Sequence, residues 1–332
     1  MTVNVLVTSA GATNAINVIK ALKRQSEIDI SITTVDIDPL SAGLYLSDKH
    51  YIVPPATSED FLPRILDICK KEAIRIIIPV YSAELPIFAE NKRLLEEHGV
   101  GIAISPLETI ETCDDKIRIY QFFEQHNIPY PKLYTRKELN SEDINFPLFI
   151  KRRKSSGSKD AHVISNREEL NFYLAQIEDP IVQDFAGGDE YTIDIICDLN
   201  GKMIEASPRR RIQTRGGLAV KAVTVRDKTL IAYARKIVEE LGIIGPANIQ
   251  CKVEKDNIRF IEVNPRLPSG GLPLAVAAGL NIPLIIVKML LGMEIGNINV
   301  RGGVFMVRYW DALFVEEENG GYRLRELFYE FR

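Results

Sequence analysis

Cysteine and histidine are scarce in this chain, with four of each in 332 residues. Cys69, Cys113, Cys197 and Cys251 form no C-x-x-C pair, which sets aside a zinc site or a disulfide frame. They read as reduced, buried thiols of a cytosolic protein. His50, His98, His126 and His162 show no H-E-x-x-H spacing and read as incidental. A basic excess is missing as well: Lys+Arg number 41 against Asp+Glu 45, a net charge of -4, which argues against a general nucleic-acid binder. No basic leader precedes the first apolar run, so no signal peptide is expected. Long hydrophobic runs are absent too. Residues 267–287 carry no charge, but Pro268, Pro273, Pro283, Asn281 and three glycines break them. They read as a loop and two short buried helices at 273–279 and 283–291, not as a membrane span. Neither G-x-x-x-x-G-K-[ST] nor G-x-G-x-x-G occurs, which excludes a P-loop and weakens an NAD site. No internal repeat and no low-complexity segment appears.

What is present is an ordinary globular composition, 46% hydrophobic and 26% charged, long enough for two or three units with substantial cores. Strand and helix patterns alternate through residues 1–106: strands at 3–7, 30–35, 75–80 and 101–104, helices near 13–24, 59–71 and 84–98. That order predicts a parallel, Rossmann-like sheet with helices on its faces. From 107 to 186 the pattern gives a helix at 115–126, strands at 148–151, 161–164 and 181–183, and a helix at 167–177. Beyond a glycine hinge at 185–188 come strands at 190–198, 203–213, 218–225, 247–253 and 258–263, a helix at 227–241 and an alternating tail at 303–316. The fold class expected is α/β followed by α+β.

The chemistry concentrates in a few segments. In I-R-F-I-E-V-N-P-R, Glu262 and Asn264 lie two apart on a strand and share a face, with Arg266 just beyond. Oxygen ligands beside a guanidinium suit a hard cation and phosphoryl oxygens. Gln250 ends the neighbouring N-I-Q strand and can stand opposite them as a third oxygen ligand; a polar cluster within a sheet is the plainer alternative. Lys151 ends a strand before R-R-K-S-S-G-S, where Ser155, Ser156, Gly157 and Ser158 let backbone N–H groups approach an anion; a solvated basic hairpin fits equally well. V-Q-D-F followed by G-G-D-E places Gln183, Asp184 and Phe185 at a hinge suited to a flat base, with Glu190 beyond it for hydroxyls; taken alone the motif reads better as an ordinary acidic loop. In P-R-R-R-I-Q-T-R an extended strand puts Arg209, Arg211, Gln213 and Arg215 on one face, which favours an anion opposite over the plainer alternative of a solvated face. T-S-A-G-A-T-N with Asp36 reads as a structural turn or a substrate-facing loop.

Taken in order, C-D-D-K at 113–116, F-I-K at 149–151, V-Q-D-F-A-G-G-D-E-Y-T-I-D at 182–194, L-G-I-I-G-P-A-N-I-Q at 241–250 and I-E-V-N-P-R at 261–266 resemble the ATP-grasp superfamily. The branch they resemble is the carbamoyl-phosphate-synthase large-subunit type and its single-module carboxylate–amine ligase relatives. The resemblance covers nearly the whole chain. It implies a pre-ATP-grasp domain (1–106), a small lobe (107–186) and a large lobe (187–332) with ATP between the lobes. Lys116 and Lys151 would contact phosphates, and Ser155 to Ser158 would form the mobile loop. Gln183, Asp184 and Phe185 would meet the adenine and Glu190 the ribose. Gln250, Glu262 and Asn264 would hold Mg²⁺, or Mn²⁺ in its place, while Arg266, Arg211 and Lys151 would serve catalysis. Arg152 stands where the family usually has Pro, a Gly is usual near Asp160, and Glu is commoner than Asp184; these departures touch the loop, not the nucleotide site. The implied activity is a cytoplasmic ATP-dependent ligase joining a carboxylate and an amine, or ammonia, through an acyl phosphate. Its partners would be small molecules, with no nucleic acid or membrane, and a homodimer is compatible with the sequence. The alternatives are a phosphotransferase of the same fold or a nucleotide-dependent binding module. Glu84 and Asn14 are further candidates for substrate contact.

Overall fold

The structure is a computed structural model and describes residues 2–155, 160–318 and 321–325. Its first unit is a five-stranded parallel sheet in the spatial order Lys49–Ile52, Ile30–Asp36, Val3–Val7, Ile76–Ile78, Gly101–Ile102. Val5, Leu6 and Val7 have no exposed surface, the signature of a parallel strand covered on both faces. Helix Phe61–Lys71 and helix Leu85–Glu90 cover one face, through Phe61, Ile65, Ile68, Leu85 and Phe88. Helix Thr13–Arg24 covers the other with the stripe Ala15, Val18, Ile19 and Leu22, and it ends on Lys23 and Arg24, which complement the helix dipole.

That second face has additional cover from far along the chain. Helices Leu272–Ala278 and Ile282–Leu290 pack Leu272, Ala275, Ile282, Ile285 and Ile286 into the same cluster as Val3, Val5, Val7, Ile76 and Ile78. The uncharged stretch is therefore two core helices, as expected from its prolines. They bend by 81° at their break, and among the described residues no single helix is long and apolar enough to cross a membrane. All four cysteines are free and buried.

A four-stranded sheet follows in the order Leu133–Tyr134, Pro180–Asp184, Leu148–Arg152, His162–Ile164, every pair antiparallel, with helix Arg167–Gln176 against it. Helix Lys116–Gln125, capped by the Asp115 carboxylate on the N–H groups of Ile117 and Arg118, turns Ile119, Tyr120 and Phe123 toward the core beneath the next sheet.

That next sheet is antiparallel and six-stranded, in the order Asn257–Asn264, Gly245–Glu254, Asp189–Cys197, Met203–Arg215, Leu218–Thr224, Phe305–Val307. Alternation gives it two unlike faces. Ile193, Ile195, Ile249 and Cys251 look into a core closed by helix Lys228–Glu240, while Glu190, Thr192, Asn248 and Gln250 look the other way, into a cleft. Two expectations fail here. The continuous strand foreseen at 303–316 is broken: Phe305–Val307 pairs with Lys221, Ala222 and Val223 of the large sheet, Tyr309, Trp310 and Phe314 are exposed, and Val315–Glu318 pairs instead with Gly321–Leu324 in a separate two-stranded sheet. The four-residue row Arg209, Arg211, Gln213, Arg215 is broken by register shifts at 211/213 and 213/214. Arg209 and Arg211 keep the cleft side, whereas Gln213 and Arg215 are exposed, with Arg215 over the Trp310 ring.

Candidate functional site

The polar face of the large sheet, the inner surface of the small sheet and the strand-end loops of the first unit enclose a cleft of about 840 Å³. The first unit lends Thr13, Asn14, Tyr81 and Ser82; the small sheet lends Phe149, Lys151, Gln183 and Phe185; the large sheet lends most of the charged groups.

Glu262 is the centre of charge. Register pairs Gln250 with Glu262 and Asn248 with Asn264, so the three residues expected to hold a metal do converge, and Asn248 joins them. The register slips by one residue between Gln250 and Cys251, leaving Ile261 unpaired; this bulge lets Phe260 face the core while Glu262 faces the cleft. The Glu262 carboxylate accepts no hydrogen bond among the described residues, yet it acts electrostatically on Lys116, Lys151, Arg211 and Arg266. A carboxylate so placed accepts what the cleft admits rather than closing a protein-only pair.

Around it the cations are each held by geometry. Lys151 is almost fully enclosed; its Nζ donates to the Tyr120 hydroxyl (3.3 Å), which donates to Gln183 Oε1 (2.9 Å). Burial pushes this lysine down to about 7, with Lys116 adding to the effect and Glu262 opposing it. Lys116 Nζ donates to the carbonyls of Arg153 (3.2 Å) and Ser155 (3.1 Å), tying the entry of the loop to the cleft, and burial lowers its pKa too. Arg211 pairs with Glu190, reaches Gln250 Oε1 at 3.4 Å and donates to the Gly217 carbonyl at 2.5 Å. Lys252 stands 3.7 Å from Glu190 on its other side. Arg266 donates to Ser82 Oγ of the first unit (2.7 Å), to Ser269 Oγ (2.9 Å) and to the Leu267 carbonyl (3.0 Å), with Asn264 Oδ1 at 3.4 Å.

Several other expected residues find their places. Gln183 and Phe185 line the cleft, but the Asp184 carboxylate is engaged by the Tyr134 hydroxyl (2.7 Å) and leaves only its main chain near the hinge. Ser155 lines the cleft; Ser156, Gly157 and Ser158 lie outside the described residues. Asn14 borders the cleft and donates to the Val80 carbonyl at 2.6 Å. Glu84 lies behind the wall, bonded by the hydroxyls of Thr8 and Ser9 and pushed up to about 7 by burial. Asp36 accepts from the Gly11 N–H (2.7 Å) and the Asp38 N–H (2.9 Å), so the first loop is a structural turn whose carboxylate is already taken.

Tyr120, Asn248, Asp194 and Ser82 were not foreseen. Asn248 and Asp194 were within reach, because alternation from Gln250 and from Glu190 puts them on the cleft face. Tyr120 and Ser82 carry no local signal.

The oxygen set suits Mg²⁺ in one respect and limits it in another. Glu262 is free and flanked by amide oxygens, but no cluster of three or more His, Cys, Asp or Glu exists among the described residues. A site with one carboxylate holds a magnesium ion that brings phosphate oxygens and waters with it, not one caged by protein.

A cleft between two antiparallel sheets, lined by buried lysines and closed by a Rossmann-like unit, defines a two-lobed nucleotide-site architecture. Residues 176–312 match the family model described as ATP-grasp in the biosynthetic pathway with Ter operon, and residues 5–103 match the PylC-like N-terminal domain. The second part of the chain thus matches an ATP-grasp family model and the first a PylC-like N-terminal one. Solved structures share the fold. Biotin carboxylase from Campylobacter jejuni, in complex with a β,γ-ATP ligand, aligns with a TM-score of 0.73 at 17% identity over 91% of this chain and 74% of that one. N5-carboxyaminoimidazole ribonucleotide synthetase from Thermus thermophilus gives 0.69 at 16%, over 91% and 82%. L-amino acid ligase from Bacillus licheniformis gives 0.64 at 15%, over 87% and 74%.

Proposed function

We propose that this protein is an ATP-dependent ligase that activates a small carboxylic acid as an acyl phosphate and passes the acyl group to an amine or ammonia, releasing ADP and phosphate. The observation that carries the reading is Glu262: one carboxylate without a hydrogen-bond partner among the described residues, in the field of Lys116, Lys151, Arg211 and Arg266, on a cleft wall shared by three parts of the chain.

In this reading the nucleotide lies between the small and large sheets, with its base against Phe185 and the main chain of Gln183 and Asp184 and its ribose at Glu190. Lys116 and Lys151 meet the phosphates, with Ser155 beside them on the cleft wall. Glu262, with Gln250 and Asn264, would hold Mg²⁺, which when bound supplies charge neutralisation at the phosphoryl oxygens. The acid's oxygen bonds to the γ-phosphorus as the bridge to the β-phosphate breaks, and ADP leaves. The amine nitrogen then bonds to the acyl carbon, loses a proton and expels phosphate. Positioning dominates such a transfer. Arg266, fixed by Ser82 and Ser269, holds its guanidinium beside the phosphoryl in flight, and Arg211 can leave Glu190 for phosphate oxygens once ribose hydroxyls replace it. Enclosure by the first unit keeps water from the acyl phosphate.

The test is ADP release across a matrix of acids and amines, with products identified by mass. Release that requires both substrates, with free phosphate, supports the ligase. A product that retains phosphate would assign a phosphotransferase instead. Glu262→Gln should lower turnover by at least about a hundredfold while the circular dichroism spectrum is kept; a fully active variant sinks the assignment.

A further inference from the structure

The charge lining the cleft exceeds what Mg–ATP and a simple acid require. Six cationic side chains border it (Lys116, Lys151, Arg209, Arg211, Lys252, Arg266) and Arg308 stands beside Arg209; against these seven are three carboxylates, Glu190, Glu262 and the Asp194 paired with Arg209, an excess of four. A Mg–ATP complex carries about two negative charges, and a monocarboxylate adds one more. Desolvated like charges repel strongly when no counter-charge accompanies them.

The surplus has an address. Arg209 is 4% exposed and lines the cleft; its Nε and Nη2 hold both oxygens of Asp194, at 2.7 and 3.2 Å. Arg308 lies next to Arg209, and its Nη2 donates to the carbonyls of Gly270 (3.0 Å) and Ser269 (3.5 Å), two residues of the cleft wall. Burial and the neighbouring Arg209 both hold the Arg308 pKa below its usual value. Arg209 Nη1 and Arg308 Nε are buried and meet no acceptor. Of these two neighbouring guanidinium groups only Arg209 has a carboxylate partner, and each keeps a donor unused where buried donors are ordinarily paired. The pair is also rigid: a Cβ on Gly271 would fall 2.1 Å from Arg209 Nε and 2.2 Å from Asp194 Oδ2, so bare backbone is packed against it. Arg266, by contrast, has four acceptors of its own.

We infer that the acid substrate is a dianion, carrying a second carboxylate apart from the one that is activated, and that Arg209 and Arg308 receive it beside Ser269 and Gly270. This rests on the ligase reading for the identity of the first carboxylate. Asp194 is the positioning group that sets the Arg209 fork, and planar guanidinium groups suit a carboxylate in two-point contact.

The experiment loads the full chain with Mg–ADP. It then measures, by thermal shift and calorimetry, the binding of glutarate, L-glutamate and L-aspartate against their half-amides, glutaramate, L-glutamine and L-asparagine. ADP release from ATP is followed in parallel, with hydroxylamine as the trapping amine. At least one diacid should bind about tenfold or more tightly than its half-amide. Arg308→Gln should bring that ratio close to one, and Arg308→Lys should restore part of it; the double variant Arg209→Gln/Asp194→Asn, which leaves no lone buried charge, should do the same as Arg308→Gln. Equal binding of diacids and half-amides, or a ratio that survives Arg308→Gln, overturns the inference. A diacid preference without ADP release from any acid upholds this subsite and removes the ligase reading, whereas ADP release without the preference does the reverse.

Discussion

If Lys151 meets the phosphates as proposed, nucleotide binding takes up a proton. Burial holds its pKa near 7 in the open cleft, so at pH 8 about one in ten copies is charged. A phosphate group brought against it favours the charged form and lifts the pKa back toward that of an exposed lysine. Binding at pH 8 should therefore take up roughly 0.9 proton, at pH 7 roughly 0.5 and at pH 6 roughly 0.1. The sign follows from the free form: above pH 7 it must first be charged, so affinity weakens as pH rises, by about tenfold (~1.4 kcal/mol) per unit until the pKa of the bound form is reached. Calorimetric titration of Mg–ADP in buffers of different ionisation enthalpy reads the uptake directly. At pH 8 the Mg-bound phosphates are fully ionised and contribute none. Lys151→Met fills the same apolar pocket and should abolish both the uptake and the pH dependence. Uptake below about 0.2 proton at pH 8, or an unchanged value in Lys151→Met, would refute the placement of Lys151 on the phosphates.

Other consequences can be measured on the free protein. Glu84 is pushed up to about 7 from an ordinary 4.5, so the folded state binds the proton more tightly than the unfolded one. Its contribution is fully present below pH 4.5 and is lost as pH rises through 7. Urea denaturation should show wild type losing on the order of 3 kcal/mol relative to Glu84→Gln across that window. Asp194→Ala leaves Arg209 buried without its counter-charge and should cost about 3–5 kcal/mol in the same assay, whereas Lys23→Ala, at an exposed ion pair, should cost less than about 1 kcal/mol. Burial pushes the Cys69, Cys197 and Cys251 thiols up to about 12 and raises Cys113 further, so an aromatic disulfide reagent should titrate no thiol in the native protein and all four in denaturant.

The sequence made the charged wall legible because strands obey a period of two. Glu262 with Asn264, and Gln250 opposite, needed only that period and an antiparallel neighbour, and the structure pairs Gln250 with Glu262. The same rule misled at 209–215, where two register shifts send Gln213 and Arg215 to solvent; nothing in R-R-R-I-Q-T-R announces them. Asp184 showed why a motif position is not a side-chain role: its carboxylate is bound by Tyr134, fifty residues earlier. The parallel strand Lys49–Ile52 was missed because it is polar and lies at the edge of the sheet, and helix Leu107–Asp114 because its apolar stripe is short. Tyr120 and Arg308 reach their places only through tertiary packing, which a local pattern cannot encode.

The two helices near residue 280 impose an order on synthesis. Val3, Val5 and Val7 leave the ribosome well before part of the surface that covers them, because Leu272 to Val287 are translated more than 260 residues later. Until then this sheet carries an uncovered greasy flank, the kind of surface that chaperones hold and that aggregates when released early. A fragment ending near residue 106 would keep that flank for good. A sheet whose strands and connecting helices are contiguous in sequence still waits for a distant segment before its core is closed.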